Sequence, residues 1–123
     1  MTGPALLFAG DYPDPSIVRV DDTYYITHSS FVYHPGLLIW ESKDLQSWRP
    51  VGFAVDQPGW DIWAPELVHH GDRFYVYYYA RSTTGDGRGT NWVVHAPSAS
   101  GPWSAPVQIP IERIDPGHVV GPD

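Results

Sequence analysis

The feature that most limits how this chain can fold is an internal repeat of about 50 residues. Residues 14 to 30 lie over residues 64 to 80 without a gap, placing Pro15 on Pro65, Val18 on Val68, Asp22 on Asp72 and Tyr25 on Tyr75. Ile17 with Leu67, Tyr24 with Phe74 and Ile26 with Val76 are similar pairs. In each copy an apolar run enters a polar turn, Asp21-Asp22-Thr23 or Gly71-Asp72-Arg73, and returns as an aromatic, β-rich run, Tyr24 to Thr27 or Phe74 to Tyr79. Two such runs across a short turn read as a β-hairpin. The second halves match at an offset of 55: Leu38-Ile39-Trp40-Glu41-Ser42 with Trp48 corresponds to Val93-Val94-His95-Ala96-Pro97 with Trp103, followed by 51–55 and 107–109. The five extra residues fall in Ser82 to Thr90, a hairpin loop. Four short strands in about 50 residues are the content and period of a propeller blade, so the expected class is an all-β propeller.

Composition agrees with many short strands joined by turns. The 123 residues include six Trp, eight Tyr, four Phe, thirteen Pro and twelve Gly, a mixture that suits strands and turns better than bundled helices. The formal charge of −7, with only seven Lys and Arg, argues against a nucleic-acid partner, which would need clustered cations. Aromatics with carboxylates suit neutral polyhydroxy ligands. No cysteine is present, which excludes disulfides and thiolate metal sites. The opening Met1 to Gly10 has no basic n-region, and its apolar run is too short for a signal peptide or a membrane span. The expectation is a soluble chain with no membrane partner, cytoplasmic if Met1 is the native start.

Blade one is expected over about 14–56 and blade two over about 64–110. A third begins at Asp115-Pro116-Gly117-His118-Val119-Val120, with Gly121-Pro122-Asp123 on the turn positions. Blades pack face to face around an axis, and closed rings have about four or more. Two blades and one strand leave apolar faces and an open strand edge. Residues 1–123 are therefore expected to be the N-terminal part of a single propeller domain. Its remaining blades would come from downstream sequence or a second chain.

The chemistry concentrates at Asp14-Pro15, where a carboxylate sits immediately before a strand. Proline fixes its own φ and restricts the residue before it, so Tyr12 and Asp14 are both expected to be extended. Ala64-Pro65 and Asp115-Pro116 repeat the dipeptide. In a propeller the first strand of each blade lines the central channel, so Asp14 and Asp115 are expected to face one pocket. Glycoside hydrolysis uses such paired carboxylates, one activating water and one donating a proton to the leaving oxygen. The plainer reading is that Asp before Pro merely starts a strand and caps a turn. Ala64 weakens that reading, because strand starts here do not require Asp.

Asp11-Tyr12-Pro13-Asp14-Pro15-Ser16-Ile17, Ser29-Ser30-Phe31 with Pro35-Gly36, Ser42-Lys43-Asp44-Leu45 with Trp48, Ile62-Trp63-Ala64-Pro65-Glu66 and Ile114-Asp115-Pro116 together resemble glycoside hydrolase family 43. The likeness runs from Gly10 through nearly the whole chain. It implies a five-bladed β-propeller and inverting hydrolysis of terminal xylosyl or arabinofuranosyl residues from oligosaccharides or polysaccharides. It further implies that Asp14 is the general base, that Asp115 tunes the pKa of the acid and orients it, and that Phe31 and Trp63 wall the sugar subsite. The Ser29-Ser30-Phe31 and Pro35-Gly36 spacing leans toward the β-xylosidase and α-L-arabinofuranosidase branch. The family's general acid, a Glu in a Glu-Gly-Pro motif opening the fourth blade, does not occur in this chain. Glu66 is placed by the resemblance as a scaffold and subsite element. Residues 1–123 alone are therefore expected to be inactive.

Other constellations carry less. His69 and His70 are adjacent on a strand and point to opposite faces, so they do not chelate together. His28, His34, His95 and His118 show no metal-ligand spacing, so no metal site is expected and no cofactor is required; an axial ion such as calcium stays open. Gly85, Gly87 and Gly89 imitate a phosphate loop, but no Lys-Ser/Thr follows and no helix opens. Ser16 has no nucleophile-elbow context, and Tyr77-Tyr78-Tyr79 reads as blade packing. The alternatives to an enzyme are a propeller that binds carbohydrate without cleaving it and a propeller used as a protein-binding scaffold.

Overall fold

A computed structural model describes residues 3–122. Its eight strands are β1 (Ser16–Val20), β2 (Thr23–Thr27), β3 (Gly36–Ser42), β4 (Arg49–Val55), β5 (Trp60–His70), β6 (Arg73–Ser82), β7 (Gly89–Ala96) and β8 (Val107–Ile109). They form two four-stranded sheets in the orders β1-β2-β3-β4 and β5-β6-β7-β8, with every pair antiparallel. These are the two meanders that the repeat predicts. Each opens on a two-residue turn, Val20 pairing Thr23 and His70 pairing Arg73. The first turn residue is left-handed in both, Asp21 at φ 54° and Gly71 at φ 62°, a conformation glycine adopts freely and Asp tolerates.

The two sheets share one core. Leu37, Ile39 and Val55 from the first meet Ile62, Leu67, Val76 and Val94 from the second, all at 2% exposure or less. At the inner edge β1 lies beside β5, where Leu67 N–H donates to Ser16 Oγ at 2.9 Å. Side chains alternate between faces along a strand, so Val18 and Val20 of β1 turn toward this core while Ile17 turns away and stays 51% exposed. Its repeat mate Leu67 is 2% exposed. The same position is thus buried in the second sheet, which has a sheet against that face, and open in the first.

The repeat departs from the offsets read in the sequence at two places. Ile26 pairs Trp40 while Val76 pairs Val94, so from Trp40 onward the offset to β7 is 54, and a bulge opposite Ile39 and Trp40 gives β4 an extra residue, Val51. In addition β5 starts at Trp60, ahead of the Ala64-Pro65 dipeptide, which sits at a register shift between Trp63 and Glu66. Proline has no N–H to give a ladder, and a bulge accommodates it inside a strand. Residues 110–122 carry no ladder of their own. A strand expected from Asp115 onward has no hairpin partner among the described residues.

The β3–β4 connection is fixed by Asp44. Backbone N–H groups of Ser47 and Gln46 donate to its Oδ1 at 2.7 and 2.8 Å, and Ser42 Oγ adds a bond at 3.0 Å. These donors, Ser47 first, bring its pKa down from the ordinary 3.8 to about 2, because they favour the charged form. A carboxylate lowered on folding contributes stability above its unfolded pKa and loses it as pH falls through the folded value. Asp44→Asn is therefore expected to flatten the fall in melting temperature between pH 4 and pH 2. Thermal melts of the two proteins over that range check this.

Candidate functional site

The repeat is broken where the candidate site residues lie. In the second sheet, Tyr79 to Ser82 remain in β6 and pair with Trp60 to Trp63. In the first, the corresponding chain leaves the hairpin after Thr27. Ser29 N–H still donates to Pro13 O at 3.0 Å, but Phe31 crosses to the other sheet and exchanges two bonds with Ile62, Phe31 N–H to Ile62 O at 2.9 Å and Ile62 N–H to Phe31 O at 3.0 Å. Gly36 permits this approach, since a Cβ there would stand 3.0 Å from both Ile62 Cδ1 and Ser30 Oγ. Segment 28–31 thereby brings Asp14, Phe31 and the Trp63-Ala64 dipeptide together.

Asp14 is exposed and left-handed, with φ 54°. This corrects the extended conformation expected from the following proline. Pre-proline crowding excludes the right-handed region but leaves the small left-handed one, which Asp tolerates better than most residues. Ala64 (φ 43°) and Asp115 (φ 59°) share the conformation, and Phe31 (φ 50°) adopts it too. The recurrent dipeptide thus marks a recurrent backbone kink. One carboxylate oxygen of Asp14 accepts the Ser29 hydroxyl at 2.6 Å, and that same Ser29 Oγ accepts Ala64 N–H at 2.7 Å.

Trp63 is clamped from several sides. Its indole N–H donates to Asp61 Oδ1 at 2.7 Å, and Arg81 binds Asp61 Oδ2 at 3.0 Å while its guanidinium lies 4.6 Å from the Trp63 ring. Tyr79 approaches at 5.4 Å between ring centroids. With Arg81 on one face, at most the other face and the ring edge are open to a ligand. Asp61 and Arg81 carry no motif signal, and only the β5–β6 ladder, pairing one with the other, reveals their role. Glu66 accepts a long 3.5 Å bond from Ser16 Oγ across the β1–β5 boundary, consistent with a scaffold position.

Asp115 lines a cavity of about 330 Å³ with Tyr77, Asn91, Ile111 and Ile114. Asn91 Nδ2 donates to Ile111 O and Arg113 O, each at 2.7 Å, and so folds the preceding segment back over β7. Burial pushes the Tyr77 phenol up from its ordinary pKa. His118 packs edge-on against Tyr77 at 5.2 Å. Tyr78 (1% exposed) and Tyr79 (8%) belong to the packing of the second sheet, as read from the sequence. Among the described residues no three His, Cys, Asp or Glu side chains gather in a group able to hold a metal ion.

The sequence model described as Glycosyl hydrolases family 43 matches residues 6–123. The chain belongs to glycoside hydrolase family 43. It is 37% identical to the Xylosidase/arabinosidase 43B of Humicola insolens over 89% of its own length and 23% of that protein. It is also 37% identical to a non-reducing end alpha-L-arabinofuranosidase of Bacteroides ovatus, over 89% of this chain and 22% of that one. Among solved structures, the GH43 protein BlXynB (K247S mutant) of Bacillus licheniformis superposes with a TM-score of 0.80 at 34% identity, covering 90% of this chain and 25% of that chain. The chain thus spans about a quarter of the length of these relatives. Its two sheets are two blades of the family 43 β-propeller.

The left-handed kink at Ala64 predicts an asymmetric response to substitution. Ala64→Gly should leave stability within about 1 kcal/mol, since relief of strain offsets the freedom glycine gains when unfolded. Ala64→Val, which puts a β-branched side chain at φ 43°, should cost about 1–3 kcal/mol. Urea denaturation of the two variants measures the difference.

Proposed function

We propose that this chain contributes the base-bearing part of an inverting glycosidase that removes terminal β-D-xylosyl or α-L-arabinofuranosyl residues from oligosaccharides or polysaccharides. Asp14 is the general base, taking a proton from the water that attacks the anomeric carbon. Phe31 and Trp63 wall the pentose subsite. Asp115 tunes and orients an acid that lies outside residues 1–123, in blades completing a single propeller domain whose first two span about 14–56 and 64–110 and whose third begins at 115. The observation that carries this reading is the Asp14 carboxylate, exposed to solvent yet bound at 2.6 Å by a hydroxyl that also holds Ala64, next to Trp63. A water-activating base needs this combination of access and fixed aim. The names of the relatives, a xylosidase/arabinosidase and an arabinofuranosidase, support the pentoside class.

Inverting hydrolysis needs an acid on the far side of the bond from the base, with the two groups ~6.5–9.5 Å apart. Glu66 is engaged with Ser16 on the β1–β5 boundary, which supports placing the acid elsewhere. Without it, protonation of the leaving oxygen, worth ~10²–10⁴-fold, is lost. Residues 1–123 alone should therefore not hydrolyse nitrophenyl pentosides, and clear turnover by them would refute this division of labour. In the full-length polypeptide, Asp14→Asn should lower kcat by ~10²–10⁴-fold with KM little changed. Sodium azide should restore turnover of a nitrophenyl pentoside, because azide attacks the anomeric carbon without needing deprotonation. Unchanged kcat in Asp14→Asn would exclude Asp14 as the base.

A further inference from the structure

We propose that Ser29 is the residue that positions the base, aiming the Asp14 carboxylate and locking it to the second blade; this rests on Asp14 being the base. Ser29 is 2% exposed, and its hydroxyl both donates and accepts. A serine hydroxyl has one proton to give and lone pairs to accept with. Ala64 N–H occupies a lone pair at 2.7 Å, and the single proton goes to Asp14 Oδ2 at 2.6 Å. An alcohol proton given to a carboxylate makes a short, charge-assisted bond. Two opposed bonds on one oxygen fix the only side-chain rotor that Ser29 has.

The backbone of Ser29 is held as tightly as its side chain. Its N–H donates to Pro13 O at 3.0 Å, one residue before the carboxylate it holds. Its carbonyl lies 3.0 Å from His28 Nδ1. The indole N–H of Trp40 can only donate, and it donates to His28 Nε2 at 3.2 Å, so the imidazole proton resides on Nδ1 and points at the Ser29 carbonyl. His28 is itself 6% exposed and rests against the Tyr12 ring at 4.7 Å. The neighbouring Ser30 provides the contrast, being buried with an Oγ that has no partner among the described residues. Of two adjacent serines in one motif, only Ser29 touches the reacting carboxylate.

The consequence is mechanical. Asp14 and Trp63 come from different blades, and the hydroxyl of Ser29 sets the distance between the carboxylate and the residue next to that wall. Rotation of the carboxylate would misalign the attacking water, and a displacement on the order of 1 Å can cost ~10²-fold in rate. Binding of the sugar, which depends on the aromatic walls, would change little.

The test uses Ser29→Ala, Ser29→Thr, Asp14→Asn and the Ser29→Ala/Asp14→Asn double variant of the full-length polypeptide, with a nitrophenyl pentoside as substrate and a thermal melt of each. Ser29→Ala is expected to lower kcat by ~10²-fold while KM changes by less than about threefold. In the Asp14→Asn background the same substitution should have no further effect on kcat, because the residue acts only through the carboxylate. Ser29→Thr, which keeps the hydroxyl, should recover most of the rate if its melt matches the parent. Asp14→Asn inactive with Ser29→Ala at full kcat, or a Ser29→Ala loss confined to KM or multiplying fully in the double variant, overturns the positioning role. Retained kcat in Asp14→Asn itself overturns the base assignment instead.

Discussion

One hydroxyl holds together what the two blades supply separately. Ser29 Oγ bonds Asp14 in the first blade and Ala64 in the second, and both of those residues sit in a left-handed conformation that side chains rarely adopt. Such backbone persists only where its surroundings over-determine it. Here the surroundings are the Pro13 carbonyl, the two-bond bridge between Phe31 and Ile62, and the shared apolar core beneath. Loosening the core would release the kinks, and with them the aim of the carboxylate.

The geometry also explains why the first two blades are not interchangeable. Both fold as four-stranded meanders, yet only in the second does the second strand run on past the kink and stay paired with the first. In the first blade that stretch is free to cross over, because Gly10 to Pro13 form no strand for it to pair with. The crossing gives the carboxylate blade a hand on its neighbour. The continuous ladder of the second blade instead places Asp61, Arg81 and Tyr79 around Trp63. A symmetric repeat thus builds an asymmetric candidate site, with Asp14 held from one blade and Trp63 braced by the other.

Burial follows the same logic of neighbours. Ile17 and Leu67 occupy one place in the repeat and have the same kind of side chain, but their exposures are 51% and 2%. What differs is whether another sheet lies against that face. Each Å² of apolar surface that the facing sheet removes from water stabilises by ~25 cal/mol, so the face carrying Leu67 gains what the face carrying Ile17 lacks. The hairpins by themselves would be marginal, since isolated two-stranded units rarely hold in water.

Much of this was legible in the residues. Alternating apolar and aromatic runs around Asp21-Asp22 and Gly71-Asp72 specify the hairpins, because side-chain period and turn chemistry are local properties. The motifs around Asp14, Ser29 to Phe31 and Trp63 pointed to the family and to the residues worth watching. Three things were not legible. The bulge opposite Ile39 and the early start of β5 are register choices made by the partner strand. The bonds that tie Asp14 and Ala64 together come from a serine 15 residues away from the first and 35 from the second. The clamp on Trp63 joins residues 20 apart that meet only across a ladder. Local sequence determines which segments become strands and where they turn; which backbone donor meets which side chain is decided only when two sheets close on a common core, because those contacts depend on distances that no single segment contains.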